Sequence, residues 1–108
     1  MDRKLVYGNC NDVIKDGCPI EYVLKTFGGK WKGIIIDTLS RSSRYYNNLH
    51  RDISGISRKV LTEQLSELEK QDIIFRHETD DYPKRVLYSL TDKGYEIYSL
   101  ICKINDLL

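Results

Sequence analysis

The chain has 108 residues, of which 41% are hydrophobic and 31% are charged, and its formal net charge is +1. This length fits one domain with a modest core, and the near-zero net charge excludes a general attraction to nucleic acid. Any binding to a polyanion must therefore depend on where the cations lie. No stretch reaches the roughly 20 apolar residues of a membrane helix, and no signal-peptide pattern is present, so we expect a cytoplasmic protein.

The cysteines and histidines show no metal-binding pattern. Cys10, Cys18 and Cys102 do not form close pairs, and both His50 and His77 lie far from them in the sequence. Structural zinc sites need closer spacing, such as Cys-x2-Cys, and disulfide frameworks need paired cysteines. We therefore expect no metal, no cofactor and no disulfide framework.

The N-terminal third of the chain predicts two helices after an irregular segment. Residues 1–17 are polar and poorly periodic, and we interpret them as an arm or a short helix. A helix is predicted from Cys18-Pro19 to Phe27, because proline is favoured in the first turn and Gly28-Gly29 ends the pattern. A second helix is predicted over residues 30–40 and should be largely buried, since its apolar residues cover most of its surface: Trp31, Ile34, Ile35, Ile36 and Leu39.

The middle of the chain has a helix-turn-helix pattern. Residues 41–44 are interpreted as a polar connector, and a short third helix is predicted over residues 45–53. A tight turn, Ser54-Gly55-Ile56, leads to Ser57, a good N-cap for a fourth helix over residues 58–71. The inner stripe of this fourth helix is Val60, Leu61, Leu65 and Leu68, and the opposite face carries Lys59, Thr62, Glu63, Ser66 and Lys70.

The C-terminal part predicts a β-hairpin and a last helix. Two strand-like segments, 73–79 and 85–90, flank the turn-rich residues 80–84, and Thr91 is a good cap for a helix that runs to the terminus. A hairpin directly after a helix-turn-helix is a wing. We therefore predict a mainly α fold with a small β-hairpin wing (α+β): a winged helix-turn-helix core over 18–90, with the wing at 73–90, and a C-terminal dimerisation helix over 91–108.

The distribution of charge favours DNA binding by the fourth helix. Residues 41–59 contain five cations and one acid, a net charge of +4, whereas residues 60–72 have a net charge of −3. A major groove about 12 Å wide admits a helix, and hydroxyl and cationic side chains contact bases and phosphates. The candidate contacts with double-stranded DNA are Arg44, Ser57, Arg58, Lys59, Thr62 and Ser66. The alternative is that these residues only form solvated helix faces.

The last helix predicts a homodimer. Its apolar stripe is broader than a helix that merely covers a small domain requires, and such terminal helices commonly pair with a symmetry mate. Docking on the chain's own core is the alternative. A dimer also matches a pseudo-palindromic operator. The candidate interface residues are Ile97, Leu100, Ile101, Ile104 and Leu108.

With these residues in view, the sequence resembles the HxlR family of winged-helix regulators, which is related in fold to MarR-type proteins. The likeness covers positions 18 to about 98. In chain order, the strings that carry it are Cys18-Pro19-Ile20, Gly28-Gly29-Lys30-Trp31, Ile53-Ser54-Gly55-Ile56-Ser57, Leu61-Thr62-Glu63-Gln64-Leu65, Leu68-Glu69, Pro83-Lys84-Arg85-Val86 and Tyr88-Ser89-Leu90-Thr91-Asp92-Lys93-Gly94.

The resemblance implies a transcriptional repressor. It implies a homodimer built from the N- and C-terminal helices, with residues 57–66 in the major groove, the hairpin near the neighbouring minor groove or backbone, and Trp31 in the core. One departure is the pair Asp80 and Asp81 at the wing tip, which phosphate would repel. Lys84 and Arg85 are therefore the expected wing contacts.

Cys18 is a candidate redox sensor that responds to oxidants or electrophiles. It matches a family position that is often used for thiol-based sensing, and a helix N-terminus favours the thiolate form. An intersubunit disulfide or an adduct at Cys18 would shift the spacing of the two recognition helices. The alternative is an inert cap residue. Cys10 and Cys102 are weaker candidates, and a small-molecule inducer stays unidentified.

Two other classes of function fit the sequence less well. For an enzyme, the sequence lacks three recognisable signatures: a phosphate-binding glycine loop, a Gly-x-Ser-x-Gly elbow and a metal-ligand pair at helical spacing. Nothing in the sequence brings Cys18 close to a histidine as a nucleophile and base. A winged helix used only for protein–protein contact would have an apolar outer face on its fourth helix, and the polar residues there argue against it.

Overall fold

The computed structural model describes residues 18–108, which form five helices and one three-stranded sheet. The predicted arm over residues 1–17, with Cys10, lies outside the described residues. The elements are, in chain order, α1 (Pro19–Phe27), α2 (Lys32–Arg41), β1 (Arg44–Tyr45), α3 (Tyr46–Asp52), α4 (Arg58–Lys70), β2 (Ile74–Glu78), β3 (Val86–Leu90) and α5 (Asp92–Leu107).

The sheet has the strand order β1–β3–β2 and is antiparallel. The predicted wing is confirmed as a β2–β3 hairpin, whose register runs from Ile74 opposite Leu90 to Glu78 opposite Val86. Strand β1 was not predicted. Residues 41–44 were interpreted as a connector, yet Arg44 begins a strand that pairs with Tyr88. A strand of two residues is too short to show an alternating pattern.

The predicted caps of two helices are confirmed. At the start of α4, the Val60 N–H donates to Ser57 Oγ over 3.1 Å. At the start of α5, the Gly94 N–H donates to Thr91 Oγ1 over 2.9 Å. Each cap satisfies an N–H group that has no partner within its helix. These two hydroxyl side chains therefore fix where the helices before and after the wing begin.

Helix α4 ends in a Schellman motif. The Asp72 N–H donates to the Glu69 carbonyl and the Ile73 N–H donates to the Leu68 carbonyl, both over 3.0 Å. Asp72 has a φ of 61°, the left-handed conformation that this motif requires after the helix end. The chain then turns directly into β2, so the wing begins next to the end of α4.

One core lies between α2, α3, α4 and the sheet, and no polar or charged residue of the described chain is buried in it. Trp31 packs against this core and is half-buried, as the resemblance implied. Ile34 differs from the prediction for the second helix, because 43% of its side chain is exposed. The buried hydrophobic residues are Ile35, Ile36, Leu39, Leu49, Ile53, Ile56, Leu61, Leu65, Leu68, Ile73, Ile74, Tyr88 and Leu90.

Helices α1 and α5 contact the core with only part of their surface, through Phe27 of α1 and through Ile97 and Tyr98 of α5. No residue of α1 is buried, and Gly94 is the one buried residue of α5. The radius of gyration is 16.2 Å, compared with about 12–13 Å for a compact domain of this size. The two terminal helices therefore give the molecule an elongated shape. Within residues 18–108, no helix is both long enough and apolar enough to cross a membrane.

Candidate nucleic-acid interface

Helices α3 and α4 meet at a tight turn that glycine makes possible. Gly55 has a φ of +85°, a conformation that residues with a Cβ rarely adopt. The flanking Ile53 and Ile56 are buried in the core. A Cβ placed on Gly55 would lie 4.0 Å from Trp31 Cη2, so the tryptophan ring lies beside the turn. The buried isoleucines on either side of Gly55 therefore anchor the turn in the core.

The predicted two-faced character of α4 is confirmed. Leu61, Leu65 and Leu68 are buried with at most 1% of their surface exposed, whereas Val60 is half-buried. The opposite face is exposed throughout and carries Lys59, Thr62, Glu63, Ser66 and Lys70. All five sequence-predicted contacts of this region are exposed: Ser57, Arg58, Lys59, Thr62 and Ser66.

Two residues of α3 hold the first turn of α4. The Tyr46 hydroxyl donates to the Arg58 carbonyl over 3.2 Å and lies 2.9 Å from Thr62 Oγ1. The Arg58 guanidinium is 5.6 Å from the centre of the Tyr46 ring and donates to Asn47 Oδ1 over 3.3 Å. Sequence analysis singled out neither Tyr46 nor Asn47 as a contact of α4. Their partners are 11 to 16 residues away, so helical spacing gives no signal for these contacts.

Arg44 is in a different environment from the α4 residues. It forms an ion pair with Asp52, and its Nε donates to Ser42 Oγ over 3.0 Å. Its side chain is 28% exposed. Both bonds connect β1 with its neighbours along the chain. The charge of Arg44 is balanced by Asp52, which is the one acidic residue of the stretch 41–59.

The two predicted wing contacts are exposed near the tip of the hairpin. The Arg85 guanidinium stacks on the Tyr45 ring at 4.2 Å and lies 3.4 Å from Asp81 Oδ2. Lys84 is exposed and has no ion pair within residues 18–108. One of the two tip acids is therefore paired with Arg85, which reduces the repulsion that the sequence predicts between the wing and phosphate.

The apolar stripe of α5 is mostly uncovered. Leu100, Ile101, Ile104 and Leu108 are exposed by 52%, 40%, 57% and 99%, respectively. Ile97 is half-buried and packs against the chain's own core. The four exposed residues therefore carry most of the stripe that sequence analysis assigned to a dimer interface.

Cys18 lies directly before α1 as a free, half-buried thiol. Its backbone N–H donates to Glu21 Oε1 over 3.3 Å. Cys102 is also free and half-buried. In the described part of the chain, no three His, Cys, Asp or Glu residues cluster closely enough to hold a metal ion.

The chain is similar to known transcriptional regulators in sequence. The family model described as HxlR-like helix-turn-helix matches residues 26–108. The HTH-type transcriptional regulator YybR of Bacillus subtilis (strain 168) is 33% identical over 105 residues, which cover 97% of this chain and 80% of YybR.

Solved structures show the same fold. A protein of Enterococcus faecalis V583, named as a MarR-family regulator, has a TM-score of 0.77 at 34% identity and matches 82% of this chain and 80% of that one. The redox regulator HypR in its reduced form has a TM-score of 0.74 at 33% identity and matches 82% and 87% of the two chains. All three of these proteins are named as regulators. The chain belongs to the HxlR-like helix-turn-helix family of transcriptional regulators.

Proposed function

We propose that this regulator is a repressor that binds double-stranded DNA sequence-specifically, as a homodimer on a pseudo-palindromic operator. The observation that carries the proposal is the face of α4, which is exposed, polar and cationic at its N-terminal end while its leucines are buried. An exposed helix face of this chemistry fits the major groove. A helix used only for protein–protein contact would instead expose apolar residues.

Arg58 is the strongest candidate for a base contact. Its guanidinium can donate two hydrogen bonds to the O6 and N7 atoms of guanine. The Tyr46 ring and Asn47 Oδ1 already hold this side chain, so binding costs less conformational entropy than it would for a free arginine. Lys59 extends the same cationic end of α4.

Thr62 is a candidate acceptor for a base amino group. The Tyr46 hydroxyl has one proton, which it donates to the Arg58 carbonyl. The Thr62 hydroxyl then donates in the bond between the two hydroxyls. Its remaining lone pairs can accept from the amino group of cytosine or adenine in the major groove.

Alanine substitutions on α4 test this assignment. We expect Arg58→Ala or Lys59→Ala to weaken binding to a footprinted operator by roughly ten- to a hundredfold, as the loss of one good base contact does. Fluorescence anisotropy measures the affinity, and circular dichroism checks the fold. The matched control is Lys70→Ala, which removes one cation from the far end of the same exposed face. Wild-type affinity in the Arg58→Ala/Lys59→Ala double variant contradicts the assignment.

The homodimer is supported by the uncovered apolar faces of α1 and α5. On α1, the exposed large side chains are Ile20, Tyr22, Val23 and Leu24. Adjacent exposed apolar side chains of this kind mark interaction surfaces, and a two-fold axis lets a second copy of the chain cover both faces.

A reporter gene behind the operator tests the sign of regulation: expression rises without the protein if it is a repressor and falls if it is an activator.

Thiol sensing at Cys18 is supported by its place at the start of α1, one of the two exposed apolar helices, and by the likeness to HypR, a redox regulator. A disulfide or an adduct there would change the packing of α1 and the spacing of the two α4 helices. We expect Cys18→Ser to abolish release from the operator by diamide. The matched control, Cys102→Ser, should leave the release intact. Release that persists in Cys18→Ser excludes Cys18 as the sensor.

A further inference from the structure

We propose that the start of α5 is a clamp on the end of α4, and that this clamp determines which spacing of operator half-sites the dimer accepts. The clamp consists of Thr91, Lys93 and Gly94, which hold the consecutive backbone carbonyls of residues 71–73. The inference rests on the proposed function, in which α4 reads DNA and α5 forms the dimer. It adds the residues that fix one of these helices relative to the other.

The three carbonyl groups lie beyond the last residue of α4, and the first turn of α5 binds them. Lys93 Nζ donates to the Gln71 carbonyl over 2.8 Å. The Thr91 hydroxyl lies 2.7 Å from the Asp72 carbonyl and 3.1 Å from the Ile73 carbonyl. The Thr91 N–H also donates to the Ile73 carbonyl over 3.0 Å. Backbone carbonyls at a helix end need partners outside the helix, and here α5 supplies them.

Close packing and a second attachment hold the first half of α5 in place. A Cβ on Gly94 would lie only 2.2 Å from the Ile73 carbonyl oxygen, so the two backbones are in direct contact. One turn later, the Tyr98 hydroxyl donates to Asp37 Oδ1 of α2 over 3.0 Å. The second half of α5 instead exposes its large apolar residues, Leu100, Ile101 and Ile104. Helix α5 therefore has an anchored half and a half that is open to a partner.

A fixed junction between α4 and α5 makes a dimer selective for half-site spacing. One added base pair moves two half-sites apart by about 3.4 Å and rotates one relative to the other by about 35°. In a symmetric dimer, each α4 would have to move by about half of these amounts relative to its own α5. This movement would break the bonds of Lys93 and Thr91, because such hydrogen bonds span only about 2.7–3.2 Å.

Two substitutions remove the donors of the clamp and keep the cap of α5. Thr91→Asp keeps an oxygen that accepts the Gly94 N–H, and aspartate is a good N-cap. The ionised carboxylate has no proton to donate to the Asp72 carbonyl. Lys93→Met keeps an unbranched side chain and removes the ammonium group. The controls are Thr91→Ser and Lys93→Arg, which keep the donors, and Lys103→Met, which removes an exposed cation from the second half of α5.

A series of operators with altered spacing tests the clamp. The footprinted half-sites are placed at their native spacing or with one base pair added or removed, and fluorescence anisotropy measures the affinity. In wild type and the controls, one added base pair should cost roughly a hundredfold, because one α4 is then out of register with its bases. In Thr91→Asp/Lys93→Met the same change should cost about tenfold or less. A general loss of stability would weaken binding at every spacing alike and leave this ratio unchanged.

The distance between the two α4 helices of the free dimer gives a second readout. A spin label is attached to a cysteine at the exposed Ser66 position, in a background in which the three native cysteines are replaced by serine. Double electron–electron resonance then measures the distribution of distances between the two labels. We expect a narrow distribution in the unclamped helix's controls, Thr91→Ser and Lys93→Arg, and a broader one in the double variant.

The possible results separate this inference from the proposed function. A double variant that dimerises, binds the operator and keeps the wild-type ratio between spacings overturns the clamp alone. So does a wild type that binds every spacing equally well, or a distance distribution that stays narrow in the double variant. If the double variant does not fold, each single variant is compared with its own control. A wild type that is monomeric or binds no duplex overturns the proposed function, and the spacing role fails with it.

Discussion

Gly94 is the point at which α5 contacts the turn that follows α4. A Cβ at this position would lie 2.2 Å from the Ile73 carbonyl oxygen and 3.2 Å from Leu90 Cδ2. The same carbonyl accepts the Thr91 N–H over 3.0 Å, so it cannot move away without losing that bond. Sequence analysis named Gly94 only as the last residue of a motif that resembles the HxlR family, Tyr88-Ser89-Leu90-Thr91-Asp92-Lys93-Gly94. Its physical role depends on a residue 21 positions earlier, which no local pattern reveals.

We expect Gly94→Ala to lower the free energy of unfolding by about 1–3 kcal/mol, the usual cost of forcing an extra methyl group into a packed site. Urea denaturation followed by circular dichroism measures this change. The matched control is Gly33→Ala in α2, where a Cβ meets no atom within 4 Å. That variant should be neutral or slightly stabilising, because alanine favours helix more than glycine does. Equal effects of the two substitutions would refute the close contact.

The ion pair between Lys32 and Glu67 connects α2 to α4. The hydrogen bond and the charge of Lys32 lower the pKa of Glu67 from its ordinary value of 4.5. A carboxyl group whose pKa is lower in the folded state stabilises the fold above its unfolded pKa, and this contribution disappears as the pH falls through the folded pKa. The effect is small, because 54% of the Glu67 side chain is exposed and water screens the pair.

Glu67→Gln should therefore destabilise the protein slightly at about pH 7, and the difference from wild type should shrink as the pH falls below 4.5 and vanish below the lowered pKa of Glu67. Urea unfolding of both proteins across this pH range checks the prediction. Glu63→Gln is the control, since Glu63 lies on the same helix and has no ion pair within the described residues. A pH-independent difference between Glu67→Gln and wild type would show that the ion pair does not cause it.

Long, periodic elements were predictable and short ones were not. Helix α4 was predicted over residues 58–71 and ends at Lys70, because four apolar residues at helical spacing define its inner face. Strand β1 was not predicted, because a strand of two residues is too short to show an alternating pattern of apolar and polar residues. The second helix begins at Lys32 and not at residue 30. Sequence analysis counted Ile34 among the residues that bury this helix, but Ile34 lies on its exposed side. The residue type alone does not show which side of a helix an apolar residue occupies.

At the scale of the whole molecule, the two terminal helices leave apolar side chains uncovered within the described residues. The apolar faces of α1 and α5 lie outside the core, and 57% of Ile104 and 65% of Leu24 are exposed. Two such faces in one chain can be covered by the same faces of a second copy. This agrees with the proposed homodimer and with an operator that has two half-sites.

Ile101→Asp tests the proposed interface. A charge placed in an apolar interface without a partner costs several kcal/mol, so we expect the variant to elute as a monomer in size-exclusion chromatography with light scattering. Ser99→Asp adds the same charge to α5 at an exposed polar position and should leave the dimer intact. A dimer that persists in Ile101→Asp would place the interface elsewhere.

The order of elements, the caps at Ser57 and Thr91, and the face that α4 exposes could all be read from local patterns. Helical period, capping and turn chemistry depend on residues that are near each other in the chain. A short stretch of sequence is therefore enough to predict them. Local patterns could not predict the contacts of Arg58 with Tyr46 and Asn47 or the pairing of Arg44 with Asp52. They arise from the packing of elements against one another, and many different separations along the chain can produce the same contact in space.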